Sequence, residues 1–376
     1  MNKKVLRNIV ILTLIIGVGV IIFSDSYFGR YIRWNLPDVY DLDKFPKTTI
    51  SPSETDFIFP KVKNGKIETV RFDYKGDSID LSELAERTRT NSIIVIKNDT
   101  LVFEKYLNNN DGKTCFKAFS ATKSLLSILI GIAIDRGEIQ NVNDSIGAYI
   151  SDLKDSEISR LTLKQCLMQK TGIEYNGSYV PWADEPRWYY DTDVRSLTKD
   201  KRINKDKKQE WCNIEYNVLL LGMVLENATN TSISNYLETN LWKKIGTKHI
   251  ASFSIDSDKE RFEKVGDGFN PTSIDFIKFG YLLLNNGVFN SDTIVSTVWI
   301  DKTTDFQFSE KTDRNGVRYN SLWWVKENGD FYAEGHYGQY LYISPDSKTV
   351  MVRFGEERGG VSWWYEIFPQ IIDGLR

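Results

Sequence analysis

The sequence predicts an α+β fold: one antiparallel sheet flanked by helices, with a mainly helical second lobe. Strand-like segments occur early and late, a long helical block separates them, and no internal repeat interrupts that order. Residues 92–107 read as a hairpin: Ile93, Ile94, Val95 and Ile96 form one strand, Lys97-Asn98-Asp99-Thr100 the turn, and 101–106 the return. Residues 121–136 are apolar on nearly every face, which predicts a helix buried on all sides and closed by Gly137. Further helices are expected at 162–169, 218–226, 233–244 and 274–285. Strands return at 319–326, 331–334, 339–344 and 350–354, with turns at Asn328-Gly329 and Pro345-Asp346, and Pro369 precedes a short closing segment. Early and late strands are expected to share the sheet, and a cleft between sheet and helical lobe is the expected ligand site.

Composition narrows the function. The 376 residues carry a net charge of −3, and three of the cations, Lys3, Lys4 and Arg7, precede an apolar N-terminal run. The remainder is therefore more acidic still, with no electrostatic basis for binding nucleic acid. Two histidines, His249 and His336, lie far apart, and the three cysteines form no C-x-x-C pair, so neither a metal nor another cofactor is expected. Cys212 is expected to pack inside. Residues 9–23 are free of charge and follow the three cations, which predicts a single-pass cell-membrane helix with the rest extracytoplasmic. The competing reading is a cleaved signal peptide, but Ser24-Asp25-Ser26 fits the small-x-small pattern poorly. The expected division is an anchor at 1–24, a juxtamembrane segment at 25–80 that packs onto the domain, and a catalytic domain at 81–376.

The chemistry centres on Ser120-Ala121-Thr122-Lys123 at the start of the buried helix. S-x-x-K also occurs at Ser151 with Lys154 and at Ser196 with Lys199, and a serine at a helix start is most often a cap. Only at Ser120 does an all-apolar helix follow, so only there is the lysine drawn inward. Spacing of three residues puts Lys123 on the face of Ser120. Burial disfavours the charged amine, so such a lysine can take a serine proton, and the helix N-terminus favours charge developing on the hydroxyl oxygen.

Several segments in shared order resemble the serine β-lactamase and penicillin-binding superfamily, nearest its class C-like branch that includes the 6-aminohexanoate-dimer hydrolases. They are F-S-A-T-K-S at 119–124, L-T-L-K-Q-C-L-M-Q-K-T-G-I at 161–173, L-L-L-G-M-V-L-E at 219–226 and L-W-K-K-I-G at 241–246. D-F-I-K-F-G at 275–280, G-H-Y-G-Q at 335–339 and V-S-W-W-Y-E-I-F-P at 361–369 complete the set. The resemblance implies that a small-molecule or peptide-like amide or ester acylates Ser120 with help from Lys123. It also implies that the N–H groups of Ser120 and His336 form an oxyanion hole, each donor worth roughly 3–4 kcal/mol. Gly335, Gly338 and Gln339 would border the substrate.

One position departs from the family. The tyrosine that shuttles a proton to the leaving group should lie nine residues before Gly222, where Asn213 stands, and an amide does not titrate. Tyr216, one helical turn on, and Glu215, a titratable general base, are the two candidate replacements. Tyr175 and Trp182 belong to a loop, 175–185, whose aromatics and turn formers suit a substrate groove. The expectation is a membrane-anchored extracytoplasmic serine hydrolase; the alternative is a catalytically impaired binding or sensor protein on the same fold.

Overall fold

The computed structural model describes residues 3–62, 67, 69–358 and 364–375. The expected first hairpin forms as β1 (Thr90–Lys97) and β2 (Thr100–Tyr106), joined by Asn98 and Asp99 at φ 47° and 61°, the doubly left-handed turn that matches strand twist. The C-terminal strands are β3 (Glu310–Lys311), β4 (Val317–Asn320), β5 (Trp323–Lys326), β6 (Phe331–Gly335), β7 (Gln339–Ser344) and β8 (Thr349–Gly355). They join the hairpin in one antiparallel sheet, ordered β3-β4-β5-β6-β7-β8-β1-β2. Early and late strands thus meet along the β8–β1 seam, Val352 opposite Ile94. Residues 319–326, expected as one strand, are instead a hairpin. Ser321 and Leu322 take φ 45° and 71° and fold β4 back on β5, without the glycine or asparagine that announces such turns.

Six helices matter here: α1 (Lys3–Phe23), α2 (Tyr27–Trp34), α3 (Ala121–Asp135), α4 (Glu215–Thr229), α5 (Ser273–Leu284) and α6 (Trp364–Gly374). Strands β7 and β8 are buried along their whole length, because helices cover both faces of the sheet. On one face α5 lies so close that a Cβ on Gly280 would meet Leu341 and Val350 at 2.6 Å. On the other, Phe368 of α6 packs on Tyr340 and Tyr342, ring centroids 5.6 and 5.0 Å away. Helix α3 is buried from Ala121 to Ala133, as its all-round apolarity predicts, and packs against α4. Gly137 follows it at φ 72°. The helix expected at 233–244 is helical at Ile233–Leu237 and widens over Glu238–Trp242. Residues 361–363 of the 361–369 motif lie outside the described residues.

The N-terminal expectation is corrected. Among the described residues no helix is long and apolar enough to cross a membrane, which overturns the single-pass anchor and the cell-membrane, extracytoplasmic placement built on it. Helix α1 does form, but Lys3, Lys4 and Arg7 occupy its first turns. The remaining apolar stretch rises only about 22 Å, against a hydrocarbon core of roughly 30 Å. The following segment is more structured than a tether: α2 forms, and Lys47–Ile50 pairs antiparallel with Ala251–Ser254.

Candidate active site

Ser120 is presented by a strained turn. Phe116 and Ala118 donate their N–H groups to the carbonyls of Pro271 and Phe269, both at 2.9 Å, and so fix the approach to α3. Phe119 then takes φ 48°, a left-handed conformation costly for a bulky side chain and typical of functional sites. Ser120 stands at the helix start, yet its hydroxyl makes no capping hydrogen bond. The β6 strand ends flush against this turn: a Cβ on Gly335 would lie 2.1 Å from the Ala118 carbonyl oxygen. His336 follows at once, its ring 6.0 Å from that of Phe119.

Lys123 is buried, 3 % exposed. Its Nζ donates to Asn213 Oδ1 at 3.0 Å and to Glu215 Oε1 at 2.7 Å. Both positions of the second family motif thus converge on one ammonium. Burial raises the Glu215 carboxyl to about 7, against the lowering pull of the Lys123 charge. The second oxygen of Glu215, Oε2, is buried without a hydrogen-bond partner, and a Cβ on Gly266 would stand 2.3 Å from it. Gln169 holds this segment in place: its side-chain oxygen accepts from Ile214 N at 3.0 Å and Asn217 Nδ2 at 2.9 Å, and its carbonyl from Cys212 N at 2.9 Å. The Cys212 side chain is nonetheless exposed, contrary to the packing expected of it.

Ser120, Lys123, Asn213, Gly335 and His336 line one cleft of about 120 Å³. Three charged residues that the sequence reading did not single out line it too. Glu334 is buried and pairs with Arg314 and, at 3.5 Å, with Arg358. Arg314 lies 3.8 Å from the centroid of the Trp324 ring. Enclosure by the cleft lowers the His336 imidazole below its usual range, although the side chain reaches solvent.

The other expected residues lie elsewhere. Tyr216 is buried and turned away: its hydroxyl donates to Asp184 Oδ1 at 2.8 Å, and Lys201 sits over its ring. Tyr175 packs edge-on against Tyr216 and donates its hydroxyl to Glu185. Trp182 is 79 % exposed and does not line the Ser120 cleft. Gln339 exchanges two hydrogen bonds with the backbone of Gly355, at 2.7 and 2.9 Å, and so pins β7 to the end of β8. Gly338, at φ 79°, makes room for Arg353, whose Nη1 a Cβ would meet at 2.5 Å. Buried Arg353 donates to Thr90 Oγ1 and to the carbonyls of Thr88, Tyr337, Gly338 and Glu357, tying the corner behind His336 to the β1–β8 seam. Arg353→Met orphans these acceptors and is expected to cost about 3 kcal/mol; urea denaturation within experimental error of the wild type would refute this.

The β-lactamase family model matches residues 81–360. The chain belongs to the β-lactamase family and is a serine hydrolase. It is 24 % identical to the 6-aminohexanoate-dimer hydrolase of Paenarthrobacter ureafaciens over 298 residues, 73 % of this chain and 74 % of that one. A solved structure from Bacillus anthracis, provisionally described as a 6-aminohexanoate-dimer hydrolase, superposes with a TM-score of 0.80 at 20 % identity, covering 94 % of this chain and 96 % of its own. A class C β-lactamase superposes at 0.60 and 11 % identity, covering 79 % and 94 %. These likenesses to solved structures establish the shared fold.

Proposed function

We propose that the protein hydrolyses the amide bond of a small linear substrate through an acyl-Ser120 intermediate. The observation that carries this is the placement of the buried Lys123 ammonium, one turn from Ser120 and bonded to both Asn213 and Glu215. Above a pH of about 7 the Glu215 carboxyl of the resting pair is ionised. When Lys123 passes a proton to Glu215 its amine is free to take the Ser120 proton, and Oγ attacks the carbonyl carbon. The N–H groups of Ser120 and His336 flank the developing oxyanion. The C–N bond breaks as the amine leaves with the proton held by the Lys123–Glu215 pair. Water then attacks the acyl-serine by the reverse proton route and releases the carboxylic acid. On this reading Glu215 supplies the titratable group that Asn213 cannot, and Tyr216 serves to hold the 175–190 region through Asp184. The names of the relatives, 6-aminohexanoate-dimer hydrolases, favour a linear amide over a β-lactam. Gly335 and His336 border the substrate, while Gly338 and Gln339 act from behind it.

The test is active-site labelling of the intact chain. A fluorophosphonate or labelled penicillin should modify one residue, identified as Ser120 by peptide mass spectrometry, with a rate that falls on acidification. No labelling of Ser120 at any pH, with the chain folded, would leave a binding or sensor protein in its place.

A further inference from the structure

A second cavity, larger than the catalytic cleft, does not contain Ser120. It measures about 590 Å³ against about 120 Å³ for the cleft, within the range typical of small-molecule sites. Its interior is apolar, built on Leu167, Met168 and Trp299, each less than a tenth exposed. Phe308, 73 % exposed, stands among the lining residues as an apolar ring open to water. Its charged lining is unbalanced. Lys164, Lys170 and Lys302 face a single carboxylate, Glu310, which Lys170 already pairs at 3.1 Å. Among the described residues Lys164 and Lys302 have no carboxylate partner.

We infer that this cavity is a second ligand site, distinct from the hydrolytic cleft, for an amphiphilic monocarboxylate of medium chain length. The apolar interior takes the hydrocarbon chain, whose transfer from water supplies the affinity in proportion to the area buried. The carboxylate remains at the rim, where Lys164 and Lys302 offer charge-assisted hydrogen bonds. The two sites share a wall. Asn320 and Ser321 line the larger cavity, whereas the next residue, Leu322, lines the Ser120 cleft. Leu322 also accepts a 2.6 Å hydrogen bond at its carbonyl from Ser124, one turn beyond Ser120. The left-handed Ser321-Leu322 turn is therefore the partition between ligand and nucleophile. This inference stands apart from the hydrolase reading, because binding can be measured without turnover.

The experiment is calorimetric titration of the full chain with sodium decanoate below its micelle concentration, and with decanol at its solubility limit. Decanoate is expected to bind one molecule per chain, at least about tenfold more tightly than decanol, with affinity falling as salt is raised. The exposed double change Lys164→Glu with Lys302→Glu should weaken decanoate at least about tenfold and leave decanol unchanged. Met168→Trp, which fills the interior, should abolish binding of both, with circular dichroism and thermal melting verifying the fold. Three results would each overturn the inference: no decanoate binding to the wild type, equal affinity for decanol, or decanoate affinity unaltered by the lysine reversals. Binding retained in a folded Met168→Trp chain would place the ligand elsewhere, in the Ser120 cleft or on the exposed apolar side chains of α1, and would overturn it equally.

Discussion

Replacing Glu215 with glutamine is expected to lower kcat for amide hydrolysis by about 10²–10⁴-fold while changing KM far less. The substitution keeps the shape and the hydrogen-bonding oxygen beside Lys123 but removes the group that accepts the proton. It also leaves the buried Lys123 ammonium without its counter-ion and without the acceptor whose protonation frees the amine. The pH profile separates this role from a merely structural one. Desolvation raises the Glu215 carboxyl to about 7. Its ionised, proton-accepting form is therefore lost as pH falls through that value, and wild-type kcat/KM should decline on the acid side of about 7. In Glu215→Gln that limb should vanish. The His336 imidazole also lines the cleft, but enclosure lowers it, so its limb would fall at more acid pH. Wild-type kcat, or an unchanged limb near 7, in the glutamine variant would exclude Glu215 as the acceptor. The matching change Tyr216→Phe should leave kcat within about twofold, since that hydroxyl is engaged by Asp184 away from the cleft.

Why the sequence could pose the choice between Glu215 and Tyr216 but not resolve it is a matter of helix phase. The two side chains diverge by about 100° on a helix. Which one meets Lys123 depends on where α4 begins and how it is rotated. Gln169 sets that through Ile214 N and Asn217, from a segment 45 residues away in the chain. The same divide between local and long-range information runs through the whole molecule. The β1–β2 hairpin and α3 were legible because alternation, turn chemistry and all-round apolarity are properties of a few consecutive residues. Ser120 and Lys123 were legible for the same reason, their spacing being one helical turn. The pairing of Glu334 with Arg314 and Arg358 was not, because it joins three separate segments and no spacing encodes it. The Ser321-Leu322 turn was missed because neither residue is a turn former; Leu322 is buried, and its carbonyl accepts a hydrogen bond from Ser124 of α3, a contact distant in sequence. At the N-terminus a local pattern misled. The apolar run was visible, but the cations that seemed to orient a membrane span instead occupy the first turns of α1 and leave it too short to be one.

Gly335→Ala is expected to lower the rate of Ser120 acylation by about 10²–10³-fold, the range for loss of one oxyanion donor. No left-handed backbone is involved, since Gly335 is extended at φ −121°, so the requirement for glycine here is one of space. A methyl group would stand 2.1 Å from the Ala118 carbonyl oxygen and 3.0 Å from Phe119 Cβ. Neither neighbour can withdraw freely. Ala118 is held by its own hydrogen bond to Phe269, and Phe119 is already in a left-handed conformation. The strand must retreat, carrying His336 N–H away from Ser120, or the turn must shift and reorient Ser120 itself. Both donors of the proposed hole lie within one residue of the clash, so either response spoils their common aim. Some stability is lost as well, about 1–3 kcal/mol by the usual cost of overpacking. The decisive comparison is therefore between labelling rate and folded fraction measured on the same sample. A rate that drops far below the folded fraction assigns the effect to geometry at Ser120. Labelling within twofold of the wild type would mean that the contact of β6 with Ala118 does not set the aim of His336.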